Sequence, residues 1–315
     1  MNDSDNHSVD SRLPLAQLFL FGLQHVLVMA AAPITSVFLV AKALDLSAEL
    51  TVNLISATFL LCGLGSILQS LGTAKLGAKL PFVMMPGGAP VVMFLGIAQA
   101  RDLQTACGAV ILTSLFYFLV LPIYARLLRF FPQIVIGTLL LLVSINLLKV
   151  YGSIIVGKPG SPDFASLSHI GLALATIGFT LLFARLFRGM LGQLAVLLGL
   201  VAGTLLAVAL GLVDFSAVAQ GPLLSLPTLL PFGPPTFDLA ATVPLLVFSV
   251  ISMVEATGQT LAVAEMVGSK DSARTLVPRT IRGDAIMSLA GGFFGTSMII
   301  TSGENIGLVR ATLVR

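Results

Sequence analysis

Charge is scarce in this sequence. Only 10% of its 315 residues are Asp, Glu, Lys or Arg, against about 25% in a soluble domain. Cysteine is nearly missing too. Cys62 and Cys107 both lie inside apolar runs, so a disulfide framework is excluded and both read as small packing residues. No Cys/His cluster has the spacing of a structural metal site, and no GxxxxGK[ST] loop is present to cradle a nucleotide, so no cofactor is expected. The polar opening, MNDSDNHSVDSR, lacks the basic n-region and cleavage site of a signal peptide, and the first apolar segment is expected to be retained. The isoelectric point of about 9.1 comes from scattered basic residues rather than a stripe, which excludes a nucleic-acid partner.

Hydrophobic residues fill the space left by charge: 57% of the chain, with a mean hydropathy of +1.03. That balance is that of an all-α polytopic membrane protein, whose helices face lipid and need no polar side. Candidate spans lie near 14–32, 50–71, 86–100, 104–124, 132–150, 167–187, 190–213, 240–266, 280–296 and 303–315. With the N-terminal tail (1–13) in the cytoplasm, the inner segments carry eleven Lys and Arg and the outer ones four, as the positive-inside rule requires. The 214–239 loop has neither residue and falls outside.

Two segments share a design. In LPFVMMPGGAP (80–90) and GTSMIITSGENIG (295–307), a short apolar run meets a break of small residues before a helix restarts. Pro-Gly-Gly and Ser-Gly make a poor helix interior, so each run is expected to be a short strand. Non-helical backbone at membrane depth is tolerated only where protein buries it or it lines a cavity. Two antiparallel strands meeting there would satisfy each other, with half-helices following in spans 3 and 10. Interrupted segments in corresponding places of two halves point to a transporter site. Their offset of seven spans predicts two seven-span repeats, the second inverted.

Polar residues inside the spans mark the candidate site. Glu255 lies mid-span, where an acid costs about 2.5–3.5 kcal/mol on insertion scales and is functional by default. Gln259 is one turn later on the same face, with Gly258 between them allowing close approach. Glu304, preceded by Gly303, is expected in the first turn of the tenth-span helix, where free N–H groups and the dipole favour an anion and present donors to a ligand. Two acids beside free backbone donors suit a flat ligand with several N–H and C=O edges, such as a nucleobase. Burial disfavours the carboxylate ion, so uptake of a proton is a natural coupling. His25, after Gln24, is a further relay candidate, with a packing role as its alternative. Glu265 and Asp284 read as interfacial ion-pair residues near Arg279 and Arg282. Gln69 carries no specific signal.

QHVLVM (24–29), LPFVMMPGGAP (80–90), FPQIVIGTLLLLVSINLL (131–148), PFGPPTFD (231–238), VEATGQT (254–260) and ENIGLVRAT (304–312) together resemble the nucleobase–ascorbate transporters, or nucleobase:cation symporter-2 family. The resemblance runs from residue 14 to the last. Glu304, Asn305, Gly307 and Thr312 match the family motif [Q/E/P]-N-x-G-x-x-x-x-T-[R/K/G], and Leu313 departs from its final position.

The resemblance implies a core domain (14–124, spans 1–4, and 240–315, spans 8–10) moving against a gate domain (125–213, spans 5–7). It implies that Glu255 and Glu304 hold the base, and that the backbone at Gly303 and at the third-span break around Gly88 completes the site. Ala32 matches a pocket-lining position. The break reads Gly87-Gly88 where the family usually has Ser-Phe, so an aromatic wall is missing and a larger base has room. Gln259 stands where uracil carriers have histidine. Substrate cues divide: Glu304 is similar to uracil carriers, while VEATGQ and GLVRAT look closer to xanthine and uric acid permeases. The implied activity is symport of a nucleobase with a proton by an elevator-like movement in a bacterial inner membrane, N-terminus cytoplasmic. A homodimer is implied where the whole gate domain is present. Family members have about fourteen spans. The chain stops within the tenth, which implies that the eleventh span and gate spans 12–14 are absent and that these residues alone do not transport. Alternatives are a sulfate-type anion carrier of the same fold, disfavoured by Glu304, and an intramembrane hydrolase, for which no nucleophile motif exists.

Overall fold

The computed structural model describes residues 14–127, 164–188, 190–213 and 225–312, together with positions 134, 138, 141, 145, 152 and 155–157. The fifth candidate span, 132–150, therefore lies largely outside the described residues. The helices are α1 (Leu15–Met29), α2 (Ala31–Ala43), α3 (Ala48–Leu71), α4 (Gly88–Ala100), α5 (Leu103–Leu127), α6 (Leu167–Leu186), the short α7 (Met190–Gln193), α8 (Ala195–Ala209), α9 (Leu239–Met266), α10 (Ala273–Phe293) and α11 (Ile306–Thr312). Two strands, β1 (Val83–Pro86) and β2 (Ile299–Ser302), precede α4 and α11.

Five of the described helical stretches are long and apolar enough to cross a membrane. Together with the near-absence of charge, they make this an integral, polytopic membrane protein. α6 shows the logic most plainly. None of its residues is buried, yet Leu174, Ile177 and Leu181 stand exposed along it, a face compatible with lipid and not with water.

Local chemistry sets the ends of these helices. Ser47 caps α3 by accepting from the Leu50 N–H at 3.3 Å. Asp238 caps α9 by accepting from the Ala241 N–H at 3.1 Å. Asp102 accepts from the Thr105 N–H at 2.6 Å at the start of α5. Each supplies an acceptor to the otherwise unpaired donors of a first turn.

Three boundaries differ from the sequence expectation. The first span does not stop at 32. Ala30 keeps right-handed helical torsions, and Pro33 falls in the first turn of α2, where its missing N–H is least costly, so helix continues to Ala43. The ninth segment starts earlier, at Ala273, and carries Pro278 in its second turn. The tenth helix starts later, at Ile306.

The core lies where α5, α9 and α10 pack with α4. Ala106, Ala109, Val110, Tyr117, Leu245, Met253, Val277 and Ile281 are fully buried there. Gly292 of α10 sits against the Cys107 carbonyl and Ile111 of α5, with 2.6 Å between Ile111 Cγ1 and the place a Cβ would take. Close approach through a small residue is how helices pack tightly in a bilayer. A second group, α1 with α8 and α6 with α8, packs beside it.

β1 and β2 pair antiparallel, Val83 facing Ser302, Met84 facing Thr301, Met85 facing Ile300 and Pro86 facing Ile299. A two-stranded ribbon leaves outward N–H and C=O groups on both edges, which no water satisfies at this depth. Side chains of the flanking helices take that role. The Met84 N–H donates to Ser66 Oγ of α3 at 3.0 Å. On the other edge Ser288 Oγ of α10 donates to the Ile299 carbonyl at 3.0 Å, and the Thr301 N–H donates to Asp284 Oδ1 at 2.9 Å. Because the Met84 and Thr301 amides point outward, that pair is a non-hydrogen-bonded one. The period of two puts Pro86 in the same class, where the ladder asks for no donor.

Candidate functional site

The two strands end side by side, so the breaks that follow them are neighbours. After β1, Gly87 is extended and caps α4. A Cβ on Gly87 would lie 2.8 Å from Ile300 Cδ1, whereas one on Gly88 would meet nothing within 4 Å. The open position beside the missing aromatic wall is thus Gly88. After β2, the chain turns through Gly303 and Glu304 before α11. Glu304 is not in the first helical turn as expected but two residues before the helix, its N–H donating to Ser302 Oγ at 3.2 Å. Asn305 takes the cap position, its carbonyl accepting from the Val309 N–H at 2.9 Å. The buried Asn305 Nδ2 donates to the Pro81 carbonyl just before β1, tying the two breaks together.

α9 lies against this turn. Gln259, 2% exposed, donates from Nε2 to Glu255 Oε1 at 3.1 Å. The same amide nitrogen is 2.9 Å from where a Cβ on Gly303 would sit. Glu255 and Glu304 are each half-buried and close enough to feel each other's charge. Glu255, Gln259, Gly303 and Glu304 therefore form one constellation. Gln259 Oε1, and Asn305 Oδ1 at the start of α11, are buried without a hydrogen-bond partner. A buried acceptor left open costs about 1–3 kcal/mol.

The remaining sequence candidates sit further out. Ala32, half-buried on α2, packs against the cluster of Met29, Leu61, Met84, Met85 and Ile299 under the strand pair. His25 is half-buried on α1, which packs on α2 and α8. Gly307 is exposed on α11, and Thr312 ends that helix.

Asp284 corrects the sequence reading. It is not an interfacial ion-pair residue: it is 1% exposed, and its Oδ1 accepts from the Thr301 N–H at 2.9 Å and the Thr301 hydroxyl at 2.6 Å. The cations meant for it go elsewhere. Arg279 pairs with Asp271 at 3.7 Å, and Arg282 Nη1 donates to the Lys75 carbonyl at 3.2 Å. Glu265 is exposed at the end of α9. Sequence reasoning also passed over Gln69, fully buried beside Asp284. Its one mark in the sequence, a neutral polar side chain inside an apolar span, is too common in membrane helices to single it out.

Residues 16–315 match the model of a family described as the Permease family. Among curated proteins, the chain is 32% identical over 299 residues to the uric acid permease PucK of Bacillus subtilis (strain 168), covering 95% of the chain and 69% of that protein. It is 30% identical over 315 residues to the uric acid transporter UacT of Escherichia coli (strain K12), covering 99% and 65%. It is 28% identical over 294 residues to the xanthine permease of Bacillus subtilis (strain 168), covering 93% and 67%. The chain thus spans about two thirds of the length of these relatives, 65% to 69%. A match over nearly all its residues shows that the chain belongs to the permease family of the nucleobase–ascorbate transporters.

Proposed function

We propose that this chain carries the base-binding site of a proton-coupled nucleobase symporter. The single observation behind the reading is that Glu255 and Gln259 of α9 meet the Gly303–Glu304 turn beside the end of the strand pair. Glu255 and Glu304 accept the ring N–H groups of a base, and backbone N–H groups at Gly88 and Gly303 take its carbonyls. One proton shared between the two acids relieves their mutual repulsion, which couples loading of the base to uptake of a proton. His25 and Ala32 border the route from α1 and α2. The uric acid and xanthine permeases among its relatives favour a purine over uracil, and the open space at Gly88 suits the larger ring system. Two carboxylates argue against a sulfate-type anion as cargo.

In this reading spans 1–4 and 8–10 form a core that moves against a gate containing spans 5–7, built from inverted seven-span repeats. The N-terminus is cytoplasmic in a bacterial inner membrane, and the gate supports a homodimer. The protein is a carrier and not an enzyme. The test is uptake of labelled xanthine, uric acid and uracil in cells lacking their own carriers, with and without a proton gradient. Glu255→Gln and Glu304→Gln should each abolish gradient-dependent uptake. Uptake unchanged by both would sink the assignment.

A further inference from the structure

We infer that Gln69 is a positioning residue of the base site: its carboxamide fixes β2, through Thr301 and Asp284, and with it the Gly303–Glu304 turn. This deepens the reading above and rests on it.

Gln69 lies in the last turn of α3 and is fully buried. One N–H of its Nε2 donates to the Thr280 carbonyl of α10 at 3.0 Å, and the other is shared between Thr301 Oγ1 of β2 at 3.0 Å and Asp284 Oδ1 at 3.4 Å. Its Oε1 accepts from the Ala78 N–H at 3.2 Å. The amide has one orientation here: reversed, it would set oxygen against the Thr280 carbonyl and N–H against N–H. Thr301 is equally determined. Its hydroxyl proton goes to Asp284, which leaves a lone pair for Gln69. Room for the amide comes from Gly283, where a Cβ would lie 2.6 Å from Gln69 Nε2.

The network joins α3 to α10 and β2, which lie 211 and 232 positions away at Thr280 and Thr301, through one side chain. Thr301 is three residues before Glu304. Beyond it the turn has no regular secondary structure of its own until α11. The height of β2 along α10 therefore decides whether Gly303 reaches Gln259. Apolar packing against the flexible Met84 and Met85 side chains, which face Thr301 and Ile300, fixes the position of β2 only loosely. Directional bonds from a buried amide pin it.

The test is equilibrium binding of labelled xanthine and uric acid to the purified full chain in detergent, with melting temperature measured alongside. Gln69→Leu keeps the volume and removes all four bonds. Thr301→Val removes the hydroxyl from the other end, and Thr301→Ser keeps it. Gln69→Leu and Thr301→Val should each weaken binding about tenfold. The double variant should be no more than about twofold worse than either, since both cut one path. Thr301→Ser should stay within about twofold of the unaltered chain. Gln104→Leu, which removes a part-buried bond from α5 to the Phe232 carbonyl, should lower stability without weakening binding. Unchanged affinity in a folded Gln69→Leu protein, or a double variant whose losses add, overturns the inference. Should Gln69→Leu not fold, the Val and Ser variants at 301 decide alone. If the unaltered chain binds base but Glu304→Gln changes nothing, the base-site reading falls and takes this inference with it. Failure at Gln69 and Thr301 alone leaves that reading standing.

Discussion

Gly303→Ala tests the constellation at its tightest point. The backbone there has no left-handed requirement, so any effect is steric. The added Cβ would lie 2.9 Å from Gln259 Nε2 and 3.0 Å from both its Cδ and Cγ, several tenths of an ångström inside ordinary contact. Gln259 must retreat, and it is 2% exposed with little space behind it. Its bond to Glu255 is already 3.1 Å; a retreat of about half an ångström ends it. A hydrogen bond to a charged group contributes about 1.5–3 kcal/mol net, so base affinity should fall roughly tenfold to a hundredfold. Equilibrium binding of labelled xanthine reads this directly, and a melting curve on the same protein separates misfolding from misplacement. The decisive comparison is a double variant. Once Gln259→Ala has removed the amide, Gly303→Ala should cost nothing further. Affinity within twofold for Gly303→Ala alone, or a full second loss in the double, would refute the contact as the cause.

The other predictions concern the scaffold. Ser66→Ala and Ser288→Ala each strip one edge of the strand pair of a partner and should cost about 1–3 kcal/mol in detergent unfolding; the losses should add, because the two act on opposite edges. Met85→Pro removes a ladder donor and should cost about 3 kcal/mol, whereas Pro86→Ala, at a position that donates nothing, should stay within about 1 kcal/mol by the same melts. Asp102 lies outside the spans, where bonds first of all from the Thr105 backbone hold its carboxyl below its usual range. That contribution is present above the unfolded value and lost as pH falls through the folded one. Asp102→Ala should therefore destabilise by about 1 kcal/mol at neutral pH and by less in acid, read from melting temperature against pH.

The broken segments at 80–90 and 295–307 were legible because Pro and Gly punctuate apolar runs where no loop belongs. Glu255 and Glu304 were legible because charge at that depth is costly. Asp284 was not, for a geometric reason. It is two residues from Arg282 in sequence, but on a helix two residues are about 200° apart, so the neighbours face opposite ways. Ser66, Ser288 and Gln69 were invisible for another reason. Small or neutral polar side chains are common in membrane helices, and only the strand edges they serve give them meaning. The continuation of helix past residue 32 was not legible, because the sequence does not show that Pro33 stands in a first turn, where a proline is tolerated.

The caps on the strand pair also bear on how the chain is made. Val83 and Ser302 are partners across 219 positions, the difference of their numbers, so β1 emerges from the ribosome long before β2. Each strand nevertheless finds its helper nearby. Met84 bonds to Ser66 at a separation of 18, Ile299 to Ser288 at 11 and Thr301 to Asp284 at 17. Each half can thus be inserted as a pre-shielded hairpin of helix and strand, its outer polar groups already covered. The one long-range event left is the zipping of two prepared edges, late in synthesis and with few backbone groups exposed to lipid while they wait.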